Sequence, residues 1–179
     1  MMRLTVWKFN FRFKFLAKTS RDSLRVRPCW FLRLTYQNQR GWGECAPLRG
    51  LSTDKLSARR FISVQKSILS SDLPSLNNLS EWISHHVPPH QASFQMGLEM
   101  AMRNLILGGN NFFPDNPFQE RQEKIPINGL IWMGNPEFME KAIQEKLQEG
   151  YDCLKIKIGG LDFETEYNIL KKLRKTAPS

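Results

Sequence analysis

Two lysines, Lys155 and Lys157, lie two residues apart within the otherwise apolar, β-prone run 153–158. Because a strand turns alternate side chains to opposite faces, both ammonium groups would share one face and the apolar side chains would take the other. Each ammonium group disfavours the charge of its neighbour, and burial adds to that effect. The pair therefore indicates either the solvated face of an edge strand or a site of proton transfer.

The composition is that of a globular protein. Hydrophobic residues make up 41% and charged residues 24% of the 179 residues, which is enough apolar surface for a core. The net charge is +9, and the excess lies in residues 1–40, where ten Lys and Arg face one acid, Asp22. A solvated sheet face explains this excess at least as well as a nucleic-acid surface.

The cysteines and the apolar runs indicate the compartment. Cys29, Cys45 and Cys153 lie far apart, without the paired spacing of zinc or redox sites. No apolar run approaches the length of a signal-peptide core or a membrane span. We therefore expect a soluble, cytoplasmic protein with reduced thiols.

The first 46 residues predict a three-stranded antiparallel meander. Aromatic residues alternate with Lys, Asn and Arg over residues 7–15, which indicates a half-buried strand with an aromatic inner face and a basic outer face. Two more strands are predicted at 30–36 and 42–46. Since this alternation separates aromatic from cationic side chains, we do not expect the first strand to be a platform for single-stranded nucleic acid.

Helical patterns follow the meander. One helix is predicted from Asp54, acting as its N-cap, to about residue 69, and a short one around Trp82. A stronger pattern covers 93–107 and ends at Gly108-Gly109.

The order of predicted elements changes after a linker predicted at 110–124. Asn135 is a predicted helix cap, with Pro136 at the first helical position and Gly150 after the end. The order strand, helix, strand, helix is predicted at 125–132, 136–148, 153–158 and 163–175. This order is typical of the start of a parallel α/β sheet or barrel.

Five separated motifs occur along the chain: Thr19-Ser20-Arg21, Gly41-Trp42-Gly43-Glu44-Cys45-Ala46-Pro47-Leu48 with Gly50-Leu51-Ser52, Gly97-Leu98-Glu99-Met100-Ala101, Pro126-Ile127-Asn128-Gly129-Leu130-Ile131 and Lys155-Ile156-Lys157. Together they resemble the enolase superfamily and, within it, the o-succinylbenzoate synthase family. The resemblance implies an α+β capping domain at 1–120, a three-stranded antiparallel meander plus helices. Residues 121–179 would then be the first two β/α units of an incomplete (β/α) barrel.

The resemblance also implies a chemistry. Such enzymes abstract a proton next to a carboxylate and stabilise the enediolate on Mg²⁺. In the o-succinylbenzoate synthases, loss of hydroxide from 2-succinyl-6-hydroxy-2,4-cyclohexadiene-1-carboxylate then gives an aromatic product used in menaquinone synthesis. By position, Lys157 matches the general base and Lys155 its supporting lysine.

Two loops match those that close over the substrate in this family. The substrate-binding residues expected there are Ser20, Arg21, Leu51 and Ser52. Arg21 could pair with a substrate carboxylate, and either serine could supply a hydrogen bond. A plain turn role is an equal alternative for each of these residues.

The rest of such a site is expected elsewhere. The superfamily holds its metal with three carboxylates on the third to fifth barrel strands, so Mg²⁺ is expected for the complete enzyme but none of its ligands in this chain. Asp162, Glu164 and Glu166 come too early and are expected to serve the amino terminus of the last helix. We expect the N-terminal part of such an enzyme, inactive alone and able to self-associate through its open barrel edge.

Alternatives to the dehydratase stay open. Dipeptide epimerases and N-succinylamino-acid racemases of the same superfamily share the lysine pair. A non-catalytic binding or interaction domain derived from the cap is an alternative of another class. For the enzyme, the expected partner is a small-molecule carboxylate, with neither nucleic acid nor membrane.

Overall fold

The computed structural model describes residues 1–18, 23–48, 50–109 and 116–177. The chain forms two compact units, Met1–Arg12 with Val26–Glu120, and Phe13–Arg25 with Arg121–Ser179. The end of the first hairpin is thus grouped with the second unit. The domain boundary predicted between residues 120 and 121 stays a prediction.

Three strands form an antiparallel sheet in the order β1 (Arg3–Lys18), β2 (Ser23–Tyr36) and β3 (Gln39–Cys45). All three were predicted, and β1 and β2 are longer than the alternating patterns indicated. Three helices follow, α1 (Ala58–Ile68), α2 (Leu79–His86) and α3 (Ala92–Ile106). The buried core of this part combines the aliphatic residues of β1 and β2 with the apolar faces of the helices.

Glycines of β3 allow α3 to lie directly on the sheet. A Cβ at Gly41 would lie 2.0 Å from the carbonyl oxygen of Ala101, and one at Gly43 would lie 1.9 Å from that of Gly97. From the helix side, a Cβ at Gly97 would lie 2.4 Å from Sγ of Cys45. The Gly-Trp-Gly element is therefore a packing surface for backbone atoms.

The predicted inner face of β1 is wrong. Leu4 and Val6 pack against the core, whereas Phe9 on the opposite face is 55% exposed. The register sets this choice, because Leu32 and Leu34 of β2 pair with the two glycines of β3 that contact α3. Alternation along one strand separates its two faces but does not tell which one the helices cover.

The outer sheet face combines aromatic rings with one cation. The rings of Trp7 and Trp42 stack with centroids 5.7 Å apart. The guanidinium carbon of Arg33 lies 4.9 Å from the centroid of Trp7 and 5.8 Å from that of Trp42. The predicted separation of aromatic and cationic side chains therefore holds along β1 but not across the sheet.

Asp54 does not cap the helix for which it was predicted. Helix α1 begins later, and its N-cap is Ser57, whose side chain accepts a hydrogen bond from the amide of Arg60. The buried Asp54 carboxylate instead accepts hydrogen bonds from the amide, at 2.9 Å, and the hydroxyl of Ser93. It thereby satisfies the first turn of α3, a long-range contact that a local capping pattern does not reveal.

The second unit contains two strand–helix repeats, β4 (Gly129–Ile131), α4 (Pro136–Gln148), β5 (Leu154–Ile156) and α5 (Phe163–Thr176). The two strands pair in parallel, as predicted, although each is shorter than its apolar run. Asn135 caps α4 by accepting from the amide of Phe138 at 2.9 Å, and Gly150 has φ +81° after its end. Both local predictions are confirmed.

The last strand lies beside uncovered apolar surface. A cavity of about 770 Å³ is lined in part by Ile156 of β5, by Ile158, which follows it, and by Leu170 and Leu173 of α5. Self-association through this edge stays a prediction. Across the described ranges, no helix is both long enough and apolar enough to span a bilayer.

Replacing Gly43 by alanine tests the contact between β3 and α3. Because the new methyl group would meet backbone atoms that cannot rotate away, we expect Gly43→Ala to lower the free energy of unfolding by about 3 kcal/mol or more. Urea unfolding followed by circular dichroism measures this loss. In the control, Gly160→Ala, the nearest atom is the Met133 sulfur at 3.3 Å, and a change below about 0.5 kcal/mol is expected. A Gly43→Ala variant as stable as the control would contradict the packing.

Cysteine reactivity tests the core of the first unit. Burial, with a hydrogen bond to Glu44, raises the pKa of Cys29 to about 11, and burial beside the carboxylates of Asp54 and Glu44 raises that of Cys45 to about 12. Cys153 is exposed. At pH 8 we expect iodoacetamide to modify Cys153 first and both buried thiols at least about 100-fold more slowly. Peptide mass spectrometry measures the rates, and equal rates in the folded protein would contradict the burial of Cys29 and Cys45.

Candidate active site

The two faces of the β4–β5 pair differ completely. On one face Ile131 joins Leu154 and Ile156 in a cluster with apolar residues of α4 and α5. The opposite face carries Lys155, which pairs in register with Leu130. Helices α4 and α5 pack on the face that carries Ile131, Leu154 and Ile156. Lys155 therefore lies on the face that points away from these two helices.

Lys157 lies at the carboxyl end of β5. Its backbone amide donates to the carbonyl oxygen of Ile131 at 3.1 Å, which continues the parallel ladder one residue beyond the strand. Its side chain is half-buried, whereas that of Lys155 is exposed. In a barrel, the helices lie outside, the opposite face points inward, and active sites occupy the carboxyl ends of the strands. The geometry of both lysines matches that arrangement.

The side chain of Lys157 rests on an indole ring. Its Nζ lies 3.5 Å from the centroid of the Trp132 ring, which follows β4. The other ring contact of Trp132 is with Phe15 of β1, at 5.9 Å between centroids and 77° between planes. Sequence analysis did not assign a role to Trp132 or Phe15. The available signal was alternation, which puts Trp132 on the same face as Leu130.

Glu166 holds the loop that follows Lys157. Its buried carboxylate accepts hydrogen bonds from the amides of Gly159 at 2.7 Å, Gly160 at 3.0 Å and Leu161 at 3.1 Å. Several amides converging on one carboxylate make a strong, charge-assisted arrangement. Glu166 was predicted to serve only the amino terminus of α5. It also fixes the path of the loop that follows Lys157.

Asp162 caps α5, as an acid at the helix start should. Its side chain accepts from the amide of Thr165 at 3.0 Å and from the hydroxyl of the same residue at 2.7 Å. These hydrogen bonds lower the pKa of Asp162 below its usual value. The carboxylate is thus used within the protein and is not aimed at the lysine face.

The predicted substrate loops are only partly described. Ser20 and Arg21 lie outside the described residues. Leu51 is 48% exposed, and Ser52 Oγ accepts from the amide of Leu48 at 2.9 Å. This bond closes a turn. Substrate binding by all four residues stays a prediction.

The described residues do not form a metal site. No group of three or more His, Cys, Asp or Glu side chains converges within the described ranges. Two acids that follow the lysines in sequence, Asp162 and Glu166, are engaged by Thr165 and by the loop amides. These residues therefore do not fit a divalent cation.

Comparison with known proteins shows which proteins this chain resembles. No protein-family model matches the chain. An o-succinylbenzoate synthase of Desulfotalea psychrophila is 33% identical, in an alignment covering 98% of this chain and 54% of that protein. The crystal structure of MenC from the same organism has a TM-score of 0.70 at 28% identity, with 98% of this chain and 53% of that one covered. The chain matches the N-terminal part of an enolase-superfamily protein.

Other solved members of the enolase superfamily share the fold. The L-Ala-D/L-Glu epimerase of Bacillus subtilis, solved with substrate, has a TM-score of 0.72 at 18% identity, covering 98% of this chain and 50% of that one. The o-succinylbenzoate synthase of Thermosynechococcus elongatus, with Mg in its active site, has a TM-score of 0.65 at 24% identity, with coverages of 99% and 49%. This chain spans about half the length of each relative. The predicted resemblance to the o-succinylbenzoate synthases and the predicted fold class are confirmed.

Replacing Glu166 by glutamine tests the loop after Lys157. The amide side chain keeps the size but loses the charge that attracts the three loop amides, so we expect Glu166→Gln to cost about 1–3 kcal/mol of unfolding free energy. Hydrogen exchange at residues 159–161 should accelerate most. The exposed Glu164 is the matched control, and Glu164→Gln should leave these amides unchanged. Equal exchange in both variants would contradict the role of Glu166.

Proposed function

We propose that this chain supplies the proton-transfer half of an o-succinylbenzoate synthase-type dehydratase. The observation that carries the proposal is Lys157, half-buried at the carboxyl end of β5 on the face away from the helices. An ordinary solvated lysine would extend into water, but Lys157 packs on the ring of Trp132. The metal-binding half would come from residues beyond the matched half of the relatives.

In this proposal, Lys157 is the general base. Neutral Nζ takes the proton from the carbon next to the substrate carboxylate, and the C–O bond to the departing hydroxyl group breaks afterwards. The hydroxide leaves as water when it takes up one proton, so the ammonium form of Lys157 is a suitable donor. Lys155, on the same face, would bring positive charge to the carboxylate.

The complete enzyme would use Mg²⁺ to stabilise the enediolate, as the family resemblance implies. Its substrate would be 2-succinyl-6-hydroxy-2,4-cyclohexadiene-1-carboxylate, and its product would enter menaquinone synthesis in the cytoplasm. Ser20, Arg21, Leu51 and Ser52 would contact the substrate from the two loops. Their side chains suit a dicarboxylate, since Arg21 offers a bidentate cation and the serines offer hydroxyl donors.

A dipeptide epimerase or N-succinylamino-acid racemase is the second candidate. The same lysine pair favours this candidate. Epimerisation removes a proton from the carbon next to a carboxylate and then returns one, and both steps need a proton-transfer group near that carbon. The cap as a non-catalytic binding domain is the candidate without chemistry, and the half-buried Lys157 argues against it.

A chimera tests these candidates. The chain would replace the matched N-terminal half of the Desulfotalea o-succinylbenzoate synthase, and formation of o-succinylbenzoate would be measured with Mg²⁺. We expect dehydration, and we expect Lys157→Ala to lower kcat/KM by about 10²–10⁴-fold. The control is Lys141→Ala, because that side chain is 78% exposed and only distantly paired with Glu145.

Each outcome decides between the candidates. Faster turnover of L-Ala-L-Glu or of an N-succinylamino acid than of the cyclohexadiene would favour the second candidate. A folded chimera without either activity, or one that is unaffected by Lys157→Ala, would refute a catalytic role for this lysine. Full dehydratase activity of the 179-residue chain alone would refute the division of the site.

A further inference from the structure

The cation of Lys157 has one close ring partner, Trp132. The separation of 3.5 Å between Nζ and the ring centroid is well inside the range in which a ring attracts a cation. The Nε1 atom of Trp132 is buried without a hydrogen-bond partner among the described residues. A buried indole N–H usually donates a hydrogen bond, which helps to fix the orientation of the ring. For Trp132 the observed contacts of the ring are instead those with Lys157 and Phe15.

The second ring contact comes from the first hairpin. Phe15 of β1 meets Trp132 edge to face, and both residues belong to the second unit. In sequence, the predicted substrate-binding residues Ser20 and Arg21 come soon after Phe15. Trp132 therefore lies between Phe15 and the predicted base.

We propose that Trp132 is the positioning residue for Lys157, holding its ammonium form over the indole face at the end of β5, with Phe15 bracing the ring. The proposal rests on the proposed function for its catalytic meaning, but the contact itself is independent of activity. The ring attracts the ammonium group at this distance, so it would keep Nζ at one place between turnovers.

The side chains on the face of Lys157 differ in charge. On its own strand the charged neighbour on the same face is Lys155. From β4 this face receives Leu130 and Trp132, which are uncharged, and the β1 residue in contact with the ring is Phe15. Glu166, the buried acid of α5, is hydrogen-bonded to the loop amides.

Competitive lysine labelling of the 179-residue chain tests the proposal. Acetylation with limiting acetic anhydride between pH 7 and pH 10.5 is followed for each lysine by peptide mass spectrometry, with exposed Lys141 as the internal reference. We expect Trp132→Leu to raise the labelling of Lys157 at pH 8 about 2- to 30-fold relative to Lys141, because Nζ is no longer held against the ring.

Two variants are the controls. Trp132→Phe keeps a ring face and should retain most of the parent profile, since Nε1 donates no hydrogen bond. Trp42→Leu removes a tryptophan whose ring contacts are with Trp7 and Arg33, and it should not change Lys157. A Lys157 profile unchanged by Trp132→Leu would overturn the proposal, as would the same displacement in Trp42→Leu.

A second measurement needs no change at Trp132. Lysines are dimethylated with ¹³C-formaldehyde, and the Lys157 signal is assigned by its loss in Lys157→Arg. We expect this signal to be shifted upfield by the ring current, away from those of exposed lysines. A signal among the exposed lysines would overturn the contact. Labelling that agrees with the proposal but a chimera without activity would refute only the proposed function.

Discussion

The one-sided covering of the β4–β5 pair is the constraint on which the candidate site depends. Helices α4 and α5 pack on the face that carries the buried Ile131 and the partly buried Leu154 and Ile156, and the alternation of a strand then directs the lysines to the other face. Apolar burial stabilises the helix side at about 25 cal/mol per Å², so a shift by one residue would expose that core and bury two ammonium groups. The register that stabilises the unit therefore also directs the lysines.

Short connections around that pair keep the lysine end in position. Asp162 begins α5, and four residues later Glu166 binds the amides of the loop that leaves β5. A short loop connects β5 to α5, and the backbone amides of that loop need hydrogen-bond acceptors. One buried carboxylate meets this need. The same bonds limit the freedom of the backbone immediately after Lys157.

The first unit is organised by close approach of backbones. Glycines at 41, 43 and 97 let α3 lie on β3, and the buried Asp54 carboxylate satisfies the first turn of that helix from a distant loop. This packing assigns the aliphatic residues of β1 and β2 to the core and leaves the aromatic face of β1 outside. The sheet face bearing Trp7, Arg33 and Trp42 is thus a consequence of where glycine occurs in a neighbouring strand.

Local signals determined much of this protein. Asn135, Pro136 and Gly150 marked α4, Gly108-Gly109 ended α3, and the Lys155–Lys157 spacing put both amines on one face, because capping and alternation act within a few residues of sequence. Tertiary structure decided which face of β1 is buried, which helix Asp54 caps, and that Trp132 and Phe15 meet beside Lys157. Those outcomes depend on the pairing of segments far apart in the chain, and the periodicity of one segment contains no information about its partner.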